Sequence, residues 1–288
     1  MRNIENLVFK GGGVMGTAYA GAMEALDEYN LLDNVKRVAG TSSGSITAAL
    51  VSLRYTSAQI KDITHSIDFR KFGDHWDPLR ILTSYGIYKG DAFLSWIRNI
   101  IKQRTGNEDL TYAELAGQGY RELKVFATDL NTSSIREFSN ESTPHVVVAE
   151  SLRASMAVPF FFSAWKFPNE NPDDHIYIDG GTVYNYPITC FGDLSKTLGF
   201  FLFNNVKDVS DLDYDEILKY TKSLFRAMSN AQDQDFGRDA DEEAVSVKID
   251  DFGISSLDLD ISEEDKERLF KSGKTSTIDY LKRSASSA

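Results

Sequence analysis

Gly40-Thr41-Ser42-Ser43-Gly44 is the stretch of this sequence most suited to covalent chemistry. It follows an apolar run and precedes a helix-forming segment, the context in which a sharp strand-to-helix turn lifts a serine hydroxyl off a sheet edge. Flanking glycines relieve the crowding that such a turn creates. The N-terminus of the following helix favours negative charge developing beside the serine. Ser42 holds the central position of this G-x-S-x-G elbow, between Gly40 and Gly44, whereas Ser43 and Ser45 read as capping or solvent-facing residues. The bland alternative is a capped helix after a turn.

A nucleophilic serine needs a base. The four histidines, His65, His75, His145 and His175, occupy a helix end, a polar loop, a helix start after Pro144, and an exposed position after Asp173-Asp174. None is a persuasive partner. Ile178-Asp179-Gly180-Gly181 places a carboxylate at a strand end before two glycines. Alone this is a routine turn; beside the elbow it offers a base without histidine.

Gly11-Gly12-Gly13-Val14-Met15-Gly16 lies between a strand and a helix. Its amides, with the positive end of that helix, make an anion site. Such a site suits a nucleotide phosphate or an oxyanion, and tight packing alone would also want glycines. A dinucleotide site asks for an acidic residue at the end of the second strand; that position is Gly40, and Asp33 precedes the strand.

The elements that must position these residues alternate. Leu7-Val8-Phe9-Lys10 reads as a strand, Ala18 to Tyr29 as a helix, Val35 to Ala39 as a strand and Ser45 to Leu53 as a helix. That order predicts a parallel sheet packed with helices. The middle is more helical, with Ser57 expected to cap Ala58 to Ser66, and Asp91 opening an amphipathic helix. Leu123 to Leu130 and Ile135 to Phe138 read as strands around Asn131-Thr132-Ser133, then Val146 to Ser155 as a helix ending before Pro159. Ile176 to Ile178 and Leu198 to Phe203 are further strands, and a last helix starts near Ser262, with Asp265 closing a box-like cap. The acidic stretch Asp233 to Glu243 reads as a solvated loop or helix face. No linker rich in proline, glycine and serine divides the chain, so residues 1–288 read as one catalytic domain.

Composition bounds the partners. With 288 residues, 42% hydrophobic and 26% charged, the chain can bury a substantial core. Its 31 basic against 43 acidic residues give a net charge of −12, which repels nucleic acid and leaves a lipid surface open. The single cysteine, Cys190, excludes an intrachain disulfide and reads as a small buried hydrophobe. Met1 to Lys10 lack the zones of a signal peptide, and Ala154 to Trp165 is too short and proline-interrupted to span a bilayer. A soluble protein folded in the cytoplasm is expected, with later export left open.

The ordered set of glycine-rich turn, elbow and Asp179-Gly180-Gly181 resembles the patatin-like phospholipase family, as does Ala154-Ser155-Met156-Ala157-Val158-Pro159-Phe160-Phe161 before the aspartate. The resemblance covers roughly residues 7–187, with 188–288 as a C-terminal extension. It implies a three-layer α/β/α sandwich with a mostly parallel central sheet, and hydrolysis of lipid acyl esters without a metal or other cofactor. It further implies Ser42 as nucleophile, Asp179 as base, and an oxyanion hole from the backbone of Gly11, Gly12 and Gly13. Gly180 and Gly181 form the turn after the base. One departure stands out: the family commonly has Lys or Arg where this chain has Met15, which puts the strength of the anion site in doubt.

The implied partners are a lipid or phospholipid substrate and a transient membrane-surface contact, with no nucleic acid. The family includes effectors and secreted toxins that need activation, which leaves room for an activating protein or small molecule and for secretion without a signal peptide. Two other readings stand beside the hydrolase. One is a nucleotide-binding enzyme using the Gly11–Gly16 turn; the other is a catalytically weakened lipid-binding or regulatory protein of the same fold. Phe160, Phe161, Phe162 and Trp165 are candidates to line an acyl groove, with core packing an equal alternative. Tyr85 to Lys89 is a candidate cover over the site.

Overall fold

The computed structural model describes residues 3–203 and 217–286. Strand β1 (Asn6–Phe9) leads through the glycine-rich turn into helix α1 (Ala18–Glu28), and β2 (Arg37–Thr41) runs into α2 (Ser43–Ser52). The helical middle holds α3 (Ser57–His65), α4 (Ile81–Ser84), the short β3 (Gly86–Tyr88), α5 (Asp91–Thr105) and α6 (Tyr112–Gly117). The hairpin of β4 (Glu122–Asp129) and β5 (Ser134–Phe138) follows, then α7 (Val148–Ser155), β6 (Phe160–Phe162), β7 (Tyr177–Asp179) and β8 (Thr197–Phe203). The chain closes with α8 (Ile217–Phe236), α9 (Ala240–Ala244), β9 (Ser246–Asp250) and α10 (Glu263–Ser286).

The main sheet runs β5-β4-β2-β1-β8-β9, with β7 also on β4. Every pairing from β4 through to β9 is parallel; β5 and β7 lie antiparallel to β4. The pleat sorts the side chains between two layers. Leu7, Phe9, Val38 and Phe200 face the larger core, with α1, α2, α5, α7 and α10. Val8, Ala39 and Phe126 point the other way, toward Ile188 and Val245. Burial on both faces is why β1 and β8 read as continuous apolar runs rather than alternating ones. On that second face Phe236 of α8 stacks on Phe201 at 4.1 Å. Helices therefore flank a mostly parallel sheet, as expected.

Two close approaches pin α10 to α1. A Cβ on Gly21 would fall 1.9 Å from the Phe270 carbonyl, and one on Gly273 the same distance from that of Ala18. Only glycine lets these backbones touch.

Several local expectations need correction. Thr56, not Ser57, caps α3: its hydroxyl accepts from the Gln59 amide, and Gln59 reaches back to the Thr56 amide at 3.0 Å. Strands β3, β6 and β9 and helix α8 were not expected. Tyr85 to Lys89 is no loose cover, because β3 pairs in parallel with β6. Phe161 and Phe162 belong to the core, while Phe160 and Trp165 stay half-buried. Cys190 is half-buried against the second-face cluster. Among the described residues, no helix is long and apolar enough to cross a membrane.

Candidate active site

Strand register brings Ser42 and Asp179 together. On one edge β4 pairs with β2 up to Thr41 opposite Phe126; the next residue, Ala127, is opposite Asp179 of β7. The two strands thus meet end to end along a single neighbour. Ser42 occupies the gap at φ 51°, ψ −130°, a backbone conformation that costs a non-glycine residue about 1–3 kcal/mol. Its surroundings hold it there. The Ser42 amide donates to Ser155 Oγ at 2.8 Å, and Ser155 Oγ donates to the Phe126 carbonyl at 2.6 Å. The Ser42 carbonyl accepts from both the amide and the hydroxyl of Ser45.

Gly40 and Gly44 are required by contact. A Cβ on Gly40 would lie 2.3 Å from the Gly44 carbonyl, and one on Gly44 2.4 Å from that of Phe9. Helix α2 therefore starts against β1, with its N-terminus directly behind the serine.

Ser42 Oγ donates to Asp179 Oδ2 at 2.7 Å, and the Gly181 amide donates to Asp179 Oδ1 at the same distance. Asp179 is fully buried and Ser42 is 3% exposed. Burial pushes the Asp179 carboxyl up to about 7, against the lowering effect of the bonds from Ser42 and Gly181. A carboxylate with that proton affinity is a far better base at neutral pH than an ordinary aspartate. Met156 Sδ lies 3.6 Å from Ser42 Oγ and covers the hydroxyl. None of the hydrogen bonds of Ser42 or Asp179 is to a histidine. His175, expected to be exposed, is bonded through Nδ1 to Asp129 Oδ2 at 2.8 Å.

The glycine-rich turn passes over Ser42: a Cβ on Gly11 would sit 3.1 Å from Ser42 Cβ. Its amides are not equivalent. Gly11 N–H donates to the Asn185 carbonyl at 3.0 Å and Gly12 N–H to Ser43 Oγ at 3.0 Å. Gly13 N–H has no acceptor among the described residues. Gly13 itself has φ +57° and packs against the Ser256 carbonyl, so it must be glycine. Met15 is half-buried against the core.

Several supporting residues were missed or misread from sequence. Ser43 and Ser45, read as caps or solvent-facing, are buried and hold the turn and the elbow. In the sequence Ser155 stands out only within the Ala154–Phe161 segment, and Asn185 carries no local signal. Asp233, placed in a solvated acidic stretch, instead pairs with Lys10 at 2.7 Å. Lys10 is 4% exposed, also donates to the Leu202 carbonyl, and sits over the Phe201 ring. Burial holds its ammonium below the ordinary lysine range, opposed by Asp233. The pair ties α8 to the base of the glycine turn.

Residues 7–191 match the family model described as patatin-like phospholipase. An uncharacterised protein of Acanthamoeba polyphaga mimivirus is 29% identical over 283 residues, covering 94% of this chain and 91% of that protein. A probable lipid hydrolase of Invertebrate iridescent virus 6 is 26% identical, covering 64% of this chain and 62% of that one. Among solved structures, VipD from Legionella pneumophila superposes with a TM-score of 0.70 at 16% identity, over 98% of this chain and 67% of VipD.

Proposed function

This chain belongs to the patatin-like phospholipase family, and from that premise we propose that it hydrolyses the carboxylic esters of lipids through Ser42 and Asp179. The observation that carries the proposal is the 2.7 Å bond from Ser42 Oγ to a fully buried Asp179. Asp179 takes the hydroxyl proton as Ser42 Oγ attacks the ester carbonyl, and returns it to the departing alcohol. Water, deprotonated by the same carboxylate, then releases the fatty acid from the acyl-Ser42 intermediate. The oxyanion formed at each step is met by the N-terminus of α2 and by Gly13 N–H, while Gly11 and Gly12 spend their amides on holding the turn. The name of the iridescent-virus relative supports a lipid as the substrate class.

We place transient membrane contact at Trp76, Leu79, Leu82 and Tyr85, which are 62%, 71%, 81% and 52% exposed. They recur every third residue in the stretch leading into β3, whose partner β6 starts four residues after Met156. The test is fatty-acid release from mixed phospholipid vesicles. Release by the wild type and not by Ser42→Ala supports the hydrolase; equal release by both would remove Ser42 from the mechanism.

A further inference from the structure

Asn185 joins the parts of the site. Its carbonyl accepts from Gly11 N–H, its own amide donates to Gln232 Oε1 at 2.7 Å, and its Nδ2 donates to Ser229 Oγ at 3.0 Å. The residue is 2% exposed, yet its Oδ1 is buried with no hydrogen-bond partner. That atom lies at the chemistry. It is 2.3 Å from the point a Cβ would occupy on Gly11, a point only 3.1 Å from Ser42 Cβ. It is also 2.8 Å from the equivalent point on Gly181, which is 2.9 Å from Asp179 Oδ1.

An orphaned buried acceptor at this place is costly. Half a turn of the amide about χ2 exchanges Oδ1 and Nδ2 without changing the shape of the side chain. Ser229 then donates its hydroxyl proton to Oδ1, and Nδ2 takes the inward position beside Ser42. Inward, the N–H finds an acceptor when substrate is bound. The turn itself is short of donors: with Gly11 and Gly12 N–H engaged, it leaves only Gly13 N–H, beside the N-terminus of α2, for the charge of an oxyanion.

We propose that the Asn185 side-chain amide is the second donor of the oxyanion hole, hydrogen-bonding the ester carbonyl oxygen as it becomes negative. The proposal rests on the reading of Ser42 as nucleophile. No group is transferred to or from Asn185, and its N–H bond strengthens only as charge builds on the oxygen. The bonds from Gln232 and Gly11 hold its backbone in register with the glycine turn, so the donor is preorganised.

The experiment compares an oxygen ester with its thionoester, whose sulfur is a much weaker hydrogen-bond acceptor. Rates are taken on p-nitrophenyl butyrate and its thiono counterpart for the wild type, Asn185→Asp and Asn185→Ala. Asp matches the shape of Asn and lacks the donor; Ala keeps the measurement open if the added charge prevents folding. The expected result is a fall of about 10²-fold in kcat on the oxygen ester, with KM within about twofold. The oxygen-to-thiono rate ratio should fall by about tenfold or more, because a missing donor penalises only the oxygen ester. A rate ratio unchanged from the wild type would overturn the proposal, whatever the loss in kcat, and would make Asn185 a scaffold residue. Hydrolysis by Ser42→Ala equal to the wild type would instead mark failure of the hydrolase reading itself, and the proposal with it.

Discussion

Asp179 lies one register step beyond Thr41 on the same edge of β4, opposite Ala127 where Thr41 is opposite Phe126. Two strands separated by more than a hundred residues are thereby aligned end to end. Ser42 turns out of the junction, and its hydroxyl has one carboxylate within reach. The site is consequently built on the sheet, and substitutions can be argued from what each contact holds.

Asp179 should impose a pH profile. Its proton must be absent for it to act as base, so kcat/KM should rise with pH around a midpoint near 7. Activity at pH 5 should be about 10²-fold below that at pH 8. A profile flat from pH 5 to 8 would show that the step limited by this carboxyl is not the one measured.

The same carboxyl couples pH to stability. Its folded pKa of about 7 lies above the ordinary aspartate range, so the folded state holds the proton more tightly. The stability this provides is complete below about pH 4 and is lost as pH rises toward 7. Asp179→Asn does not titrate and should match the wild type near pH 4. At pH 8 it should be more stable by up to about 4 kcal/mol, the free energy of ionising so tightly held a proton. Denaturant midpoints at the two pH values decide it; a gain at pH 4 equal to that at pH 8 would contradict the linkage.

Ser155 links the strained elbow to β4, accepting from Ser42 N–H and donating to the Phe126 carbonyl. Ser155→Ala leaves both groups buried without that partner. A loss of about 1–3 kcal/mol in stability is expected, together with a fall in kcat of at least about tenfold as Ser42 relaxes. Thermal unfolding and ester hydrolysis read the two effects, and unchanged kcat would show that the elbow keeps its shape unaided.

Lys10 and Asp233 form a pair in which Lys10 is almost wholly buried and Asp233 is about a quarter exposed. Asp233→Ala strands the ammonium and should cost about 3 kcal/mol, the low end for a broken buried pair because the site is partly wet. Lys10→Met with Asp233→Leu should recover most of it. Urea unfolding of the single and double variants checks this; a double variant no better than Asp233→Ala would mean the charge is not the cause.

Gly44 and Gly117 make a contrast. A Cβ on Gly44 would press on the carbonyls of Phe9 and Lys10, whereas one on Gly117 meets nothing within 4 Å. Gly44→Ala should destabilise by about 3 kcal/mol or more. Gly117→Ala, at the end of α6, should stabilise by about 0.4–1 kcal/mol through the unfolded chain. Denaturation curves with the two signs reversed would refute the packing argument.

Chain-local signals made the layered αβ class, the boundaries of α1 and the β4–β5 hairpin, the start of α5 and the existence of α2 legible, because period and turn chemistry are properties of neighbouring residues. Ser42 was legible for the same reason: a serine between two glycines at a strand end is a local pattern. Asp179 was legible only alongside the elbow and the family resemblance. Strands β3, β6 and β9 were not legible: β3 and β6 are three residues each and exist as a pair of one another, and β9 is set by its pairing with β8.

What only the tertiary structure decided is which groups face one another. The register on β4 sets Asp179 beside Ser42, and burial there sets its proton affinity. The approach of α8 turns Asp233 from a surface charge into the partner of Lys10, and Asn185 from a loop residue into a buried amide beside Ser42. Desolvation and hydrogen-bond geometry depend on distances between residues far apart in the chain, and no local pattern encodes them.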